Sequence, residues 1–250
     1  MSLMSKTDFR KVWYAVLPLF VSYLPLGLAS GILLESVHFN VFQTFLISVL
    51  VFSGGGQFLV VALLATQSSV STILMMVFFL ELRYALLGAT LSRYLKHESN
   101  GFLAIFSQSM NDENYAVNHL KFMTDSSWDG QKALWVNWLS MFAWTSANMV
   151  GTLGAQFIKI DSSLVHFALT AMFVYMLVMH VKNKKRLVAA VVSAVLAVLF
   201  MVTIKNTFGI VLATLVASYA GHSFEQWQHK RRALANPAVA VQQRWHLPSR

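Results

Sequence analysis

The sequence predicts an all-α, polytopic helical membrane protein with about seven or eight crossings, and three observations support this fold class. Hydrophobic residues make up 56% of the 250-residue chain, and charged residues only 12%. The apolar residues are gathered in segments long enough to cross a bilayer core of about 30 Å as helices. The basic residues, which give a net charge of +9, lie at the ends of these segments. This distribution is typical of membrane proteins and not of nucleic-acid-binding surfaces.

Seven apolar segments are candidates for crossings. They are residues 12–34, 41–65, 70–92, 133–157, 164–181, 187–204 and 207–221. Residues 101–122 are more polar and would add an eighth crossing. Eight crossings keep both termini, including Lys6, Arg10 and Lys11, on the more basic side of the membrane, so the charge distribution favours eight. An inverted repeat is also expected, because each half of the chain has an early segment rich in small residues.

The domain organisation follows from the same pattern. Residues 1–222 are expected to form a single transmembrane domain. Residues 223–250 are polar and basic and are expected to form a cytoplasmic tail that either lies at the membrane surface or is disordered.

Small residues and prolines mark the first, fourth and seventh segments. Pro18 and Pro25 predict a kink or an interruption of the first helix. Gly27 and Gly31 form a GxxxG pair, which allows another helix to approach closely. Two series of small residues at every fourth position predict further close packing, within the chain or against a second subunit. They are Ala143, Ala147, Gly151 and Ala155 in one segment, and Gly209, Ala213, Ala217 and Gly221 in another.

Three consecutive glycines lie in the middle of the second apolar segment. A glycine costs a helix about 1 kcal/mol relative to alanine, so Gly54–Gly56 predict a helix broken within the membrane. The freed backbone groups, with Ser53 and Gln57, would then contact a substrate. The alternative is that the glycines only allow two helices to cross closely.

A carboxylate and a guanidinium lie near the middle of the third segment. Glu81 and Arg83 are separated by about 200° around a helix and cannot pair along one face, so both faces are expected to be enclosed by protein or water. Arg83 could bind a substrate carboxylate, and Glu81 could bind an ammonium group or carry a coupling proton. The alternative is a structural ion-pair network, for example between Arg83 and Asp112.

The polar sequence Asn111–Asn114 has two interpretations. It could be a surface loop, or it could be a second broken element that brings Asp112 or Glu113 to the same site. Because carboxylates are costly in hydrocarbon, the second interpretation implies a functional role.

Several function classes are disfavoured by the sequence. There is no cysteine and no histidine pair at metal-ligand spacing, so neither a metal nor another cofactor is expected. The phosphate-binding sequence of ATPases is missing. An intramembrane serine enzyme would use Ser53 with His38 or His119, but Ser53 lacks the Gly-x-Ser-x-Gly context. An ion or small-solute channel that uses the glycines as a filter is the main alternative to a transporter.

The polar motifs resemble those of the AzlC family. Phe52–Phe58 (FSGGGQF) is similar to the family segment Y-A-G-A-S-Q-F. Residues 81–88 (ELRYALLG) are similar to D/N-x-R-H-x-L-Y-G, and residues 111–113 (NDE) to T-D-E. The chain differs from these patterns at Tyr84, where the family has histidine, and at Leu87, where it has tyrosine.

The resemblance implies a substrate and a partner. AzlC-type proteins are the larger subunits of bacterial exporters of branched-chain or related apolar amino acids, and they work with a small AzlD-like membrane subunit. It further implies a multi-pass protein of the bacterial inner membrane that is driven by a proton gradient. The candidate substrate-binding or coupling residues are Ser53, Gly54, Gly55, Gly56, Gln57, Glu81, Arg83, Tyr84, Asp112 and Glu113.

Overall fold

A computed structural model describes residues 5–157, 162–180, 190–196 and 198–199, and the regular structure among them is helical. The chain divides into two compact units, Met1–Met176 and Leu177–Arg250. The helices are α1 (Lys6–Ser36), α2 (Val41–Leu50), α3 (Gly54–Ala65), α4 (Val70–Leu91), α5 (Asn100–Gln108), α6 (Asp112–Thr124), α7 (Gly130–Ala155) and α8 (Ser162–His180). The expected segment 207–221 and the tail 223–250 lie outside the described residues.

Helices α1 and α7 form the most extensive helix–helix contact of the first unit. A methyl group at Gly31 would lie 2.0 Å from the Asn148 carbonyl oxygen, and one at Gly151 would lie 2.3 Å from the Leu28 carbonyl oxygen. The backbones are therefore too close for any residue with a Cβ atom at either position. This confirms the close packing predicted from the first small-residue series and the GxxxG pair, and the packing is within the chain.

The two helices run parallel, so the pair has an N-terminal end and a C-terminal end. At the N-terminal end, Lys132 Nζ lies 3.4 Å from Asp8 Oδ1, and Lys11 Nζ lies 3.9 Å from Asp125 Oδ2. Hydrogen bonds from Ser127 lower the pKa of the partly exposed Asp125 carboxyl, so this carboxyl stays ionised beside Lys11. At the C-terminal end, the Thr152 hydroxyl donates to the Gly31 carbonyl.

The prolines do not interrupt α1. Pro18 and Pro25 both lie inside a single helix of 31 residues, so of the two expected outcomes, a kink or an interruption, the interruption is wrong. Each proline removes one backbone hydrogen bond, and the close contact with α7 beyond Pro25 offsets this loss.

The second apolar segment forms a hairpin that does not run the length of the α1–α7 pair. Hairpin 1 consists of α2, a break at residues 51–53 called tip 1, and α3. Near the start of α2, Thr44 bonds Thr152. Within α3, Gln57 accepts a hydrogen bond from Ser30, in the C-terminal part of α1, and Val61 packs in one apolar cluster with Leu34. Both ends of hairpin 1 therefore lie at the C-terminal end of the pair.

The polar segment forms a second hairpin at the opposite end. Hairpin 2 consists of α5, a break at residues 109–111 called tip 2, and α6. Before α5, Glu98 Oε1 lies 2.4 Å from where a Gly130 methyl group would be. After α6, Asp125 lies beside Lys11. Both ends of hairpin 2 are therefore at the N-terminal end of the pair, which differs from the expected crossings of residues 41–65 and 101–122.

The tips of the two hairpins meet near the middle of α1 and α7. Phe52 of tip 1 packs edge-on against the Tyr23 ring, with ring centroids 6.4 Å apart. Asn111 of tip 2 donates to the Tyr23 hydroxyl at 2.7 Å. Tyr23 is near the midpoint of α1, so the tips lie about half-way along the pair.

An inverted repeat follows from this arrangement. Helix α4 leads from hairpin 1 to the N-terminal end of the pair, where Leu91 packs in a cluster with Val12. Helix α1 with hairpin 1 and α4 with hairpin 2 thus have the same arrangement in opposite orientations. This arrangement lies within residues 6–124; the inverted repeat expected between the two halves of the chain stays a prediction, because much of the second half lies outside the described residues. By length and apolar composition, two described helices could cross a membrane, α1 and the segment Val70–Tyr94 that contains α4.

Candidate functional site

Tip 1 exists because Ser53 starts a new helix. Ser53 has an extended backbone (φ −148°, ψ 117°), and its Oγ accepts a hydrogen bond from the Gly56 amide at 3.1 Å. Serine is a favoured residue at this position of a helix start. The predicted interruption is therefore present, but Gly54, Gly55 and Gly56 form the first turn of α3 and not the unwound backbone. Glycine marks a weak helix, while the capping side chain determines where the helix restarts.

Gln57 holds tip 1 together. Its amide nitrogen donates to the carbonyls of Val51 (2.9 Å) and Ile47 (3.4 Å), and its oxygen accepts from Ser30 and Trp144, both at 3.2 Å. An amide side chain has two donor hydrogens and one oxygen with two lone pairs, so these contacts fill its capacity. Gln57 is fully buried and in this conformation is not free to contact a substrate.

Tip 2 is built in the same way. Asn111 caps α6 by accepting from the Asn114 amide, and the Asn114 side chain accepts in return from the Asn111 amide. The Asn114 side chain also donates to the Ser109 carbonyl at 2.9 Å. Asn111 and Asn114 are buried, so this sequence is a second interruption and not a surface loop.

The side chains of α4 connect the two tips. Arg83 Nη2 lies 2.8 Å from Asp112 Oδ2 at the start of α6. The same guanidinium donates to the Tyr84 hydroxyl at 3.3 Å, and this hydroxyl donates to Ser53 Oγ at 3.2 Å. A continuous chain of polar contacts therefore runs from tip 2 through α4 to tip 1. The structural ion pair between Arg83 and Asp112, which was one predicted alternative, is present.

Glu81 lies against the first turn of α3. A methyl group at Gly56 would be 2.7 Å from Glu81 Oε1 and 3.0 Å from the Val51 side chain. Gly56 is therefore the position whose missing side chain makes room for the carboxylate. Because Gly56 is the third residue of α3, the carboxylate lies near a helix N-terminus, where negative charge is favoured.

Two charged groups of α4 have unfilled hydrogen-bonding positions. Among the described residues, neither Glu81 Oε1 nor Arg83 Nε has a hydrogen-bond partner, although both atoms are buried. One is an acceptor and the other a donor. Unpaired buried polar atoms are uncommon and costly, so these two atoms require a physical explanation.

The structure adds two aromatic residues that the sequence did not indicate. The Tyr23 hydroxyl donates to Glu113 Oε2 at 3.1 Å while it accepts from Asn111. The Trp144 ring lies 3.2 Å from where a Gly54 methyl group would be, and packs against the Tyr23 ring with centroids 5.5 Å apart. Aromatic residues in apolar segments usually serve packing, so no sequence pattern distinguished these two.

Six of the ten candidate residues contact one another at the tips and the facing side of α4. They are Ser53, Gly56, Glu81, Arg83, Tyr84 and Asp112. Glu113 is linked to them through Tyr23, Gln57 is directed into the protein, and Gly54 and Gly55 complete the first turn of α3. Within the described part of the chain, the Ser53 hydroxyl bonds the Gly56 amide and the Tyr84 hydroxyl, and neither His38 nor His119 bonds it.

One face of α4 carries exposed apolar side chains. The residues of this face, Val70, Leu74, Phe78, Leu82 and Leu86, are 44–72% exposed within the described residues. The two charged side chains of α4 contact the hairpins elsewhere, Glu81 at Gly56 and Arg83 at Asp112.

Comparison with known proteins identifies the family. The family model described as AzlC protein matches residues 18–158, which include both tips and the charged residues of α4. No solved structure matches the chain.

Three relatives are informative. A membrane protein of Archaeoglobus fulgidus is 28% identical over 86% of this chain and 94% of its own length. The inner membrane protein YgaZ of Escherichia coli is 25% identical over 80% of this chain and 86% of its own. The branched-chain amino acid transport protein AzlC of Bacillus subtilis is 22% identical, over 76% and 74%. The chain therefore belongs to the AzlC family of membrane transport proteins.

Proposed function

We propose that this protein is a secondary transporter that exports branched-chain or other apolar amino acids, and that it binds them between the two hairpin tips. The name of the Bacillus subtilis relative supports the substrate class. The unfilled atoms Glu81 Oε1 and Arg83 Nε carry the proposal, because they match the two charged ends of a zwitterion. Arg83 would bind the substrate carboxylate and Glu81 the ammonium group.

Apolar clusters on both sides of the tips would accommodate the substrate side chain. One cluster includes Phe52 of tip 1, and the other includes Met110 of tip 2. Binding sites for small molecules commonly combine apolar walls with a few polar groups that fix orientation.

Proton coupling is part of the same proposal. Glu81 and Glu113 are the carboxylates beside the tips that can exchange a proton while the substrate is bound or released. The inverted repeat supports alternating access, in which two similar elements of opposite orientation move around a central site. When the substrate carboxylate binds Arg83, it would replace Asp112 as the partner of the guanidinium, and the Arg83–Asp112 ion pair would break.

We further propose a topology and a partner. Each hairpin would enter the membrane and leave it again on the same side, so neither hairpin would count as a crossing. Helices α1, α4 and α7 would cross, and three further crossings from residue 162 onward would bring the total to six. Both termini and the tail 223–250 would be cytoplasmic in a bacterial inner membrane. A small AzlD-like subunit would pack on the exposed face of α4.

The function is tested by transport in vesicles. Counterflow of labelled leucine is measured with and without a pH gradient, and with and without a co-expressed small subunit.

Arg83→Ala should lose at least about 90% of transport, because a charge-assisted bidentate contact is removed. Arg93→Ala is the matched control, since Arg93 is exposed beyond the end of α4. Full transport by Arg83→Ala would remove this residue from the mechanism, and currents above about a million ions per second would favour a channel.

A further inference from the structure

The Tyr23 hydroxyl joins tip 2 to the middle of α1 through two hydrogen bonds. It donates to Glu113 Oε2 at 3.1 Å and accepts from Asn111 Nδ2 at 2.7 Å. A phenolic hydroxyl has a single donor hydrogen, so its donor position is filled by Glu113. The Tyr23 ring is buried and packs edge-on against Phe52 of tip 1 and Trp144 of α7. This packing keeps the hydroxyl directed at tip 2.

The two glutamates beside the tips differ in their surroundings. Glu113 is the second residue of α6 and is exposed within the described residues, whereas Glu81 Oε1 is buried there without a hydrogen-bond partner. A coupling proton has to reach its carboxylate from water and return to water. Exposure therefore favours Glu113 as the group that takes up the proton.

The proposed substrate contacts lead to the same division between the two glutamates. A carboxylate that binds an ammonium group has to be ionised, so Glu81 cannot hold a proton while the ammonium group is bound to it. Glu113 has no such restriction, because its partner is a neutral hydroxyl. The Tyr23 hydroxyl can donate to an ionised carboxylate and also to the free oxygen of a protonated carboxyl.

Few charged groups face Glu113 from the surrounding helices. Asp112 precedes it on α6, and Arg83 of α4 lies 2.8 Å from Asp112, so the guanidinium charge is already matched. Helix α5 contains no titratable residue. The titratable residue of α7 is Lys132, which bonds carboxylates at the N-terminal end of the α1–α7 pair. The group that α1 directs at Glu113 is the Tyr23 hydroxyl.

We infer that Glu113 binds the coupling proton, and that Tyr23 is the positioning residue through which protonation of Glu113 weakens the attachment of tip 2 to α1. This inference rests on the proposed function and assigns its proton site. A hydrogen bond to an ionised carboxylate is about twice as strong as one to a neutral carboxyl. When Glu113 takes up a proton from water on one side, the bond from Tyr23 weakens and tip 2 is free to move. When the proton leaves to water on the other side, the stronger bond forms again.

The first test removes the group that titrates. In Glu113→Gln, the side-chain oxygen can still accept from Tyr23, but the side chain cannot bind a proton. Two rates are measured in vesicles with the full-length protein, namely leucine exchange at equal pH on both sides and net leucine transport driven by a pH gradient. Glu113→Gln should abolish gradient-driven transport and preserve exchange. Glu35→Gln, at the C-terminal end of α1, is the matched control and should preserve both rates.

The second test moves the pH dependence while the carboxylate stays in place. Tyr23→Phe keeps the packed ring but removes the donor to Glu113. A hydrogen bond to the ionised form favours that form, so without it Glu113 should hold its proton at higher pH. With a gradient of constant size, the pH of half-maximal transport should rise by about 0.5–1 unit. Tyr14→Phe, at an exposed ring of the same helix, should leave this pH unchanged.

A merely structural role of Tyr23 would give a different result. In that case Tyr23→Phe would lower exchange and gradient-driven transport by the same factor, and the pH of half-maximal transport would not move. That result would overturn the role of Tyr23.

The remaining outcomes separate this inference from the proposed function. If Glu113→Gln still responds to the gradient, the proton site lies elsewhere, at Glu81 for example, and the proposed function stands. Loss of exchange in Glu113→Gln also overturns the inference, because Glu113 would then be needed for substrate binding. If the unmodified protein exchanges leucine without responding to a gradient, proton coupling fails with the inference and the substrate class stands. If it transports no apolar amino acid, the proposed function fails as well.

Discussion

Tyr84 connects tip 1 to the ion pair of tip 2. Its hydroxyl accepts from Arg83 and donates to Ser53, so it uses one acceptor and one donor position. The family resemblance places histidine here. A neutral imidazole also has one donor and one acceptor, and so could make the same two contacts. Tyr84 therefore keeps the connection while removing a group that titrates near neutral pH.

Restoring the family residue should introduce pH dependence. In Tyr84→His, a neutral imidazole can accept from Arg83 and donate to Ser53. A protonated imidazole cannot accept, and its charge lies beside the guanidinium. Since imidazoles exchange a proton between about pH 5 and 8, leucine transport by this variant should fall as the pH is lowered through that range.

The comparison is made in vesicles with the same pH on both sides, so that the driving force is constant. Tyr84→Phe is the control, because it lacks both contacts at every pH. Its transport should be reduced about three- to tenfold, with the same pH profile as the unmodified protein. Identical profiles for Tyr84→His and Tyr84→Phe would show that position 84 does not act through this hydrogen-bond chain.

At the scale of the helices, both interruptions follow one rule. A capping side chain starts the second helix, and an amide three or four residues beyond it donates to the carbonyl of the residue that caps the end of the first helix. The pairs are Ser53 with Gln57 and Asn111 with Asn114. The sequence predicted the interruptions from glycines and polar residues, but not their exact positions. It could not do so because the positions depend on which side chain reaches which carbonyl.

The contact between α1 and α7 was more accessible to prediction. Small residues at every fourth position have few roles in a membrane helix other than close packing, and Gly31 and Gly151 indeed lie against backbone. The prolines were less informative, because the stability that packing gives to α1 cannot be read from its own sequence. The identity of the partner helix was also open, since α7 follows α1 by about a hundred residues.

Substituting the packed glycines should destabilise the protein. In Gly31→Ala, the new methyl group would lie 2.0 Å from the Asn148 carbonyl oxygen, and backbone cannot move aside as a flexible side chain can. We expect a loss of about 1–3 kcal/mol or more, measured as a lower midpoint of thermal unfolding in detergent. Gly154→Ala on α7 is the control, because nothing lies within 4 Å of its new methyl group. Equal midpoints for the two variants would contradict the close contact.

At the scale of the first unit, the hairpins change the distribution of charge. Each hairpin returns to the side from which it entered, so the loops of residues 92–99 and 125–129 lie at the same end as the start of α1. This N-terminal end carries Lys6, Arg10, Lys11, Arg93, Lys96, Lys121 and Lys132. The eight-crossing prediction instead placed Arg93 and Lys96 outside. Hydropathy could not reveal the hairpins, because two half-length helices contain as many apolar residues as one crossing helix.

The concentration of positive charge determines the expected orientation. Cytoplasmic loops carry an excess of lysine and arginine, so the N-terminal end of the α1–α7 pair should face the cytoplasm.

The chain contains no cysteine, which allows single cysteines to be introduced without background labelling. In intact cells, a membrane-impermeant maleimide should label Ser68→Cys and Phe157→Cys at the C-terminal end. It should label His97→Cys and Ser126→Cys only after the membrane is opened. The decisive pair is His97 with Ser126, because these positions flank hairpin 2. Labelling of one but not the other in intact cells would mean that residues 100–124 cross the membrane, and the central meeting of the two tips would then be wrong.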